Sequence, residues 1–228
     1  LIIFFDVDDT LIDHSGAERT AASLFYRRFR DTLAGLDEES FYARWHAAAE
    51  RHFATYNAGE CSYQDQRRRR IRAFFGSELS DREADELFAV YLVGYESQWA
   101  LFPDVLPCLD ALAGQTLGII SNNGIEATRL KLDRVQIADR FADVVTPDTI
   151  GISKPDRRIF EAACERLGVP PAACMYVGDM LENDACAASA AGLTGVWINR
   201  SGENRPTLDT EGIIVIHDLR DLPRVVGA

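Results

Sequence analysis

The chain has 228 residues, enough for one large domain or one domain with an insert, and 47% hydrophobic against 26% charged residues is the balance of a globular protein with a sizeable core. Its 24 basic and 36 acidic side chains give a net charge of −12, which argues against nucleic acid or an anionic membrane surface as main partner, because phosphate polyanions would be repelled. No apolar run approaches the roughly 18 residues of a membrane span, and no signal-peptide layout is visible.

In chain order, the sequence opens with a short solid apolar run, Leu1–Phe5, that reads as a buried strand. The run starts without a Met, so a few residues are expected ahead of it. Helical faces then follow from His14 to Ala100. Ala22, Phe25, Phe29, Leu33 and Leu36 recur at three- and four-residue steps, and Phe41, Trp45, Ala48, Ala49, His52, Phe53 and Tyr56 form a second face that ends at Gly59. Ser80-Asp81-Arg82-Glu83 is a capping box, opening a third face through Leu87, Phe88, Tyr91, Tyr95 and Trp99. Beyond it, solid apolar runs return at Leu117–Ile120, Met175–Val177 and Val196–Ile198, separated by helical stretches such as Glu126–Val135 and Arg157–Leu167. Such alternation predicts an α/β fold, a parallel sheet covered by helices on both faces. The core would comprise residues 1–13 and 101–228, with an all-helical insert at 14–100. Five scattered cysteines without a CxxC pair exclude a disulfide framework or zinc ribbon and point to a reducing, cytoplasmic setting. Most of the acidic surplus falls on the proposed core, which suits a cation site there.

In an open parallel sheet, ligands bind beyond the carboxyl ends of the strands. The first run is followed there by Asp6-Val7-Asp8-Asp9-Thr10, the second by Ser121-Asn122-Asn123-Gly124, and the third by Gly178-Asp179 and, five residues later, Asp184. A loop with Ser153-Lys154-Pro155-Asp156 lies between the last two. Asp6 and Asp8 stand two apart, so an extended backbone points both the same way, and two close carboxylates call for a divalent cation or a retained proton. Asp179 adds a hard oxygen donor of the type Mg²⁺ favours. A Lys cation, a Ser hydroxyl and a helix start at Gly124 are what an anionic oxygen cluster needs. Together these groups fit phosphoryl transfer.

The set Asp6-x-Asp8-x-Thr10, Ser121-Asn122, Lys154-Pro155 and Gly178-Asp179-x4-Asp184 resembles the four motifs of the haloacid dehalogenase superfamily of hydrolases, in that family's order. The helical insert after the first motif is similar to its smaller, helical cap. The resemblance implies a Rossmann-like core and a phosphatase acting on a small phosphorylated metabolite, at a site between core and cap. Asp6 would be the nucleophile that becomes an aspartyl-phosphate, and Asp8 the general acid and base, kept protonated by neighbouring negative charge. Mg²⁺ would be held by Asp6, Asp179 and the main-chain oxygen of Asp8, with Asp184 orienting Lys154 or a metal-bound water. Ser121 and the backbone around Asn122 would bind the phosphoryl oxygens, Lys154 would offset charge, and Thr10 would fix the turn. Around Gly178–Asp184 and Val196–Asn199 the likeness is to the nucleotide and acylneuraminate phosphatases.

The second motif departs from the usual Ser/Thr-Asn-Gly: Asn123 stands where that Gly is expected, leaving its role open. The dehalogenases proper lack an acid two residues after the nucleophile, and the phosphonate-cleaving branch needs a cap lysine, whereas the two lysines here, Lys131 and Lys154, lie outside the insert. A sugar phosphomutase, a metal-independent dehalogenase, and a receiver-like or catalytically silent binding protein remain the alternatives. Arg67–Arg70 reads as a solvated helix face, His52 as a packed histidine, and Trp45 and Trp99 as core of the insert. Arg19, Trp45, His52 and Arg67 are the candidates for substrate choice. Oligomeric state is open.

Overall fold

The computed structural model describes residues 1–202 and 211–227. The chain divides into two compact units, Leu1–Asp13 with Ala100–Ala228, and His14–Trp99.

In the first unit six parallel strands run β1 (Ile2–Phe5), β2 (Thr116–Ile120), β3 (Asp143–Val145), β4 (Cys174–Gly178), β5 (Thr194–Ile198) and β6 (Ile214–Ile216), in the spatial order β3-β2-β1-β4-β5-β6. The four solid apolar runs are the four inner strands. The sheet carries helices on both sides, the α/β architecture expected. Alternate side chains of the first strand serve opposite faces. Ile2 and Phe4, with Cys174 and Tyr176, pack under Ile159, Phe160, Ala163 and Cys164 of one helix and Ala187, Ala188 and Ala191 of another. Ile3, Phe5, Met175 and Val177 are buried as well. Gly118 sits opposite Phe4, whose ring would lie 2.6 Å from any added Cβ, so the first strand's largest side chain fits because its neighbour has none.

The second unit is made of helices α1 (His14–Arg28), α2 (Glu38–Asn57), α3 (Tyr63–Phe75) and α4 (Asp81–Glu96). The first expected face is cut short: the helix ends at Arg28, Phe29 and Leu33 follow in turns, and Leu36 lies just beyond them. The Ser80–Glu83 box caps α4, and a second box that the sequence reading passed over, Ser62 with Asp65, caps α3. An aromatic core of Phe25, Phe41, Trp45, Phe88, Tyr91 and Tyr95 joins α1, α2 and α4, and α3 adds Ile71, Phe74 and Phe75 to it.

The arginine run is a correction. Only Arg69 of the four is solvated. Arg67 lies 4.5 Å over the Tyr63 ring, Arg68 pairs with Asp85 at 2.7 Å and Asp81 at 2.9 Å, and Arg70 is buried, 4.4 Å over Trp45 and 3.0 Å from Glu18. A guanidinium can enter an aromatic core because its flat face stacks while its edge keeps hydrogen bonds. Trp45 is fully buried, Arg19 is tied to Glu39 on the surface, and His52 is half-buried rather than packed away. Cys108, Cys164 and Cys174 are buried, Cys61 and Cys186 half-buried, and all five are free.

Glu18 is 2% exposed and accepts from Arg70 and, at 2.7 Å, from His46 Nδ1. Burial pushes its carboxyl up, but the Arg70 charge and the histidines outweigh this and hold it below the ordinary value. A depressed carboxyl contributes stability that is whole above about pH 4.5 and is lost as pH falls. Glu18→Gln is therefore expected to lower unfolding free energy at neutral pH by about 3–5 kcal/mol, since it leaves Arg70 buried without its counter-charge. Urea titrations of both proteins from neutral pH to pH 4 should show the gap narrowing.

Candidate active site

At the carboxyl end of β1 the chain leaves the sheet through Asp6, whose N–H is held by the Val177 carbonyl at 2.9 Å. A tight turn follows, closed by Leu11 and Ile12 N–H on the Val7 carbonyl, with Asp9 in the left-handed region at φ 54, which a short polar side chain tolerates. The turn sets the Asp6 and Asp8 carboxylates on different partners.

Asp6 faces Lys154. The ammonium, 5% exposed, donates to Asp6 Oδ1, Asp184 Oδ1 and the Tyr176 hydroxyl, each at 2.7 Å. All three of its protons are therefore accounted for. The peptide on either side of this lysine is held too: Asn122 Nδ2 donates to the Lys154 carbonyl at 2.9 Å, and its Oδ1 accepts from the Lys154 N–H at 2.7 Å. The Asn122 side chain is thus engaged with the lysine loop. Tyr176, fully buried on β4, was not expected at the site; its hydroxyl also lies 3.1 Å from both the Ile120 carbonyl and Asp184 Oδ1.

Asp179 follows β4, and Thr10 Oγ1 donates to its Oδ1 at 3.4 Å, so Thr10 touches a site carboxylate besides shaping the turn. Asp184 lies on a π-helical turn, Leu181–Cys186, and its Oδ2 accepts from Met180 N–H at 2.9 Å. Gly178 leaves room for it: an added Cβ would fall 2.4 Å from the Asp184 carboxyl carbon. One oxygen from each of Asp6, Asp179 and Asp184 can be chosen so that all lie within 4.8 Å of one another. These carboxylates could hold a hard divalent cation.

Electrostatics agrees with that donor set. Burial, only partly offset by Lys154 and reinforced by Asp184, pushes the Asp6 carboxyl well up. Burial together with the charges of Asp6, Asp184 and Asp9 does the same to Asp179. For Lys154 burial works against the charge, but Asp184 and Asp6 reverse it and the ammonium is held more firmly than usual. Three carboxylates share one ammonium, a deficit of positive charge that a bound cation would relieve.

Asp8 has partners that its place in the sequence does not indicate. Its neighbours are donors: Lys131 Nζ reaches Oδ1 at 2.5 Å and Oδ2 at 2.7 Å, and Asn123 Nδ2 reaches Oδ2 at 2.6 Å. Ser121 is buried, and its hydroxyl accepts from Asn123 N–H at 3.2 Å. Gly124 does cap the helix Ile125–Arg134, but the Ile125 N–H is taken by Asp148 at 2.7 Å. Lys131 and Asn123 could have been singled out only as one of two lysines and as the departure from a motif; neither signal names Asp8.

A family model described as haloacid dehalogenase-like hydrolase matches residues 1–192. Glyceraldehyde 3-phosphate phosphatase of Methanothermobacter thermautotrophicus is 29% identical over 98% of this chain and 98% of its own length. A HAD-hydrolase of Bacillus subtilis, solved bound to magnesium, superposes with a TM-score of 0.79 at 20% identity, covering 100% of this chain and 98% of the other. A 2-haloacid dehalogenase of Pseudomonas syringae reaches 0.73 at 29% identity, over 99% and 97%.

Gly178→Ala must push Asp184 off Lys154, and a loss of about 1–3 kcal/mol is expected, as for other overpacked sites. Tyr176→Phe removes one acceptor from the buried ammonium and should cost a similar amount, about 1–3 kcal/mol. Urea unfolding of each variant measures both.

Proposed function

From the premise that the chain belongs to the haloacid dehalogenase-like hydrolases, we propose that it is a magnesium-dependent phosphatase, cleaving a small phosphate monoester through an aspartyl-phosphate on Asp6. The observation that carries this reading is the buried group of Asp6, Asp184 and Lys154, with Asp179 beside it, at the ends of two adjacent parallel strands.

The chemistry runs in two displacements. In the first, an Asp6 oxygen bonds to phosphorus as the ester P–O bond breaks, and the departing alkoxide takes a proton from Asp8. In the second, water attacks the same phosphorus while Asp8 takes its proton, releasing inorganic phosphate and restoring Asp6. As an acceptor of three hydrogen bonds Asp8 is ready for the second step. Approach of an anionic phosphoryl group favours the protonated form that the first requires. Lys154 steadies Asp6 and offsets charge on the group in transfer, Asp184 and Tyr176 orient Lys154, and Ser121 with the backbone around Asn122 receives phosphoryl oxygens. Mg²⁺ fits the oxygen donors Asp6, Asp179 and Asp184 and supplies, when bound, the positive charge that lets one anion approach another.

Residues 14–100 serve as a cap that selects the substrate. A three-carbon sugar phosphate is the first candidate, after the archaeal relative's name. Halide displacement needs no proton donor, so the presence of Asp8 favours phosphate esters over haloacids.

The test is a panel of glyceraldehyde 3-phosphate, phosphoglycolate, nucleoside 5′-monophosphates and 4-nitrophenyl phosphate, scored for free phosphate. Turnover is expected with Mg²⁺, with loss on chelation and in Asp6→Asn, and a phosphoryl group trapped on the peptide holding Asp6. Phosphate release that persists in Asp6→Asn would overturn the reading. Independently of turnover, Mg²⁺ should raise the melting temperature of the native protein and leave that of Asp179→Asn nearly unmoved.

A further inference from the structure

Two side chains converge on the Asp8 carboxylate. Lys131, one of the chain's two lysines, is 3% exposed on the helix Ile125–Arg134, sharing its buried face with Thr128 and Leu132. A buried ammonium has to be paired, and this one spans both oxygens of Asp8. Asn123 places its amide on Asp8 Oδ2 at 2.6 Å. The two arrive from one piece of chain. The loop after β2 presents Ser121 and Asn123, is tied by Asn122 to Lys154, and runs into the helix that carries Lys131.

We propose that Lys131 and Asn123 are positioning residues that fix the Asp8 carboxylate where it exchanges a proton with the leaving oxygen. This rests on the reading of Asp8 as the acid and base of a phosphatase. A carboxylate on a turn has rotational freedom, and a donor spanning both oxygens, with a second donor on one of them, leaves it a single orientation. The helix gives the clamp its stiffness: Lys131 lies two turns past the Gly124 cap, and Thr128 Oγ1 holds the Gly124 carbonyl at 3.0 Å. Asn123 is then the residue through which the loop that carries Ser121 also reaches Asp8.

Kinetics separate positioning from other roles, because 4-nitrophenolate leaves without needing a proton while an alkoxide does not. The variants are Lys131→Met and Asn123→Gly, with Asp8→Asn as background, assayed on 4-nitrophenyl phosphate and on the alkyl phosphate the native protein turns over fastest. For Lys131→Met, kcat/KM, which reports departure of the leaving group and not the later hydrolysis of the intermediate both esters share, should fall about 10²-fold on the alkyl ester, the scale of a misplaced catalytic group, with a loss on the aryl ester of less than about tenfold. Asn123→Gly, which removes no buried charge and keeps the proposal testable if Lys131→Met does not fold, should show a smaller loss with the same ester dependence. Neither substitution should slow Asp8→Asn further, since both act through the carboxylate already removed. Equal losses of kcat/KM on the two esters, or a full further loss in the Asp8→Asn background, would overturn the proposal. Turnover that survives Asp6→Asn would sink the phosphatase reading and the proposal with it, whereas equal losses of kcat/KM with that turnover abolished would sink the positioning role alone.

Discussion

One buried ammonium organises the α/β unit. Lys154 sits where the ends of two neighbouring strands bring Asp6 and Asp184 to a common point, and both carboxylates accept from it. Without it, like charges would be stacked in a dry place, where they repel strongly. The surroundings are arranged to keep that cation in place: Asn122 brackets its peptide, Tyr176 takes its third proton, and the bare Gly178 lets Asp184 come close. The parallel sheet matters because it ends several strands at one edge, so residues from distant parts of the chain can share a single charge centre.

Much of this was legible in the sequence, and the boundary of legibility has physical reasons. Inner strands are buried on both faces and so read as unbroken apolar runs, which is why β1, β2, β4 and β5 stand out. The two outer strands do not: each has three residues, one begins with Asp143, and the other leaves Val215 exposed. The sequence marks α3 as helical but not which side it buries, because its buried face is built partly of Arg70 and Gln66, polar residues that a hydrophobic pattern cannot register.

The site divides in the same way. Asp6, Ser121, Lys154, Asp179 and Asp184 follow apolar runs or match a motif, so position alone marks them. Tyr176, Asn123 and Lys131 act through side chains that meet partners 22 to 123 positions away in the chain. Periodicity carries no information about such contacts. Asp8 shows the limit most clearly, since its place was readable and its surroundings were not. Lys131 and Asn123, both donors to its carboxylate, come from a segment more than a hundred residues on.

Arginine and lysine are used very unequally. Twenty-two of the 24 basic residues are arginines, which knit the helical unit and coat the surface, while the two lysines are 3% and 5% exposed and each grips an aspartate. The folded chain therefore offers amine-directed reagents no accessible ε-amino group. Acetylation, carbamylation or an ester-based label would reach a lysine only when the α/β unit opens, and the rate of lysine modification becomes a gauge of that opening.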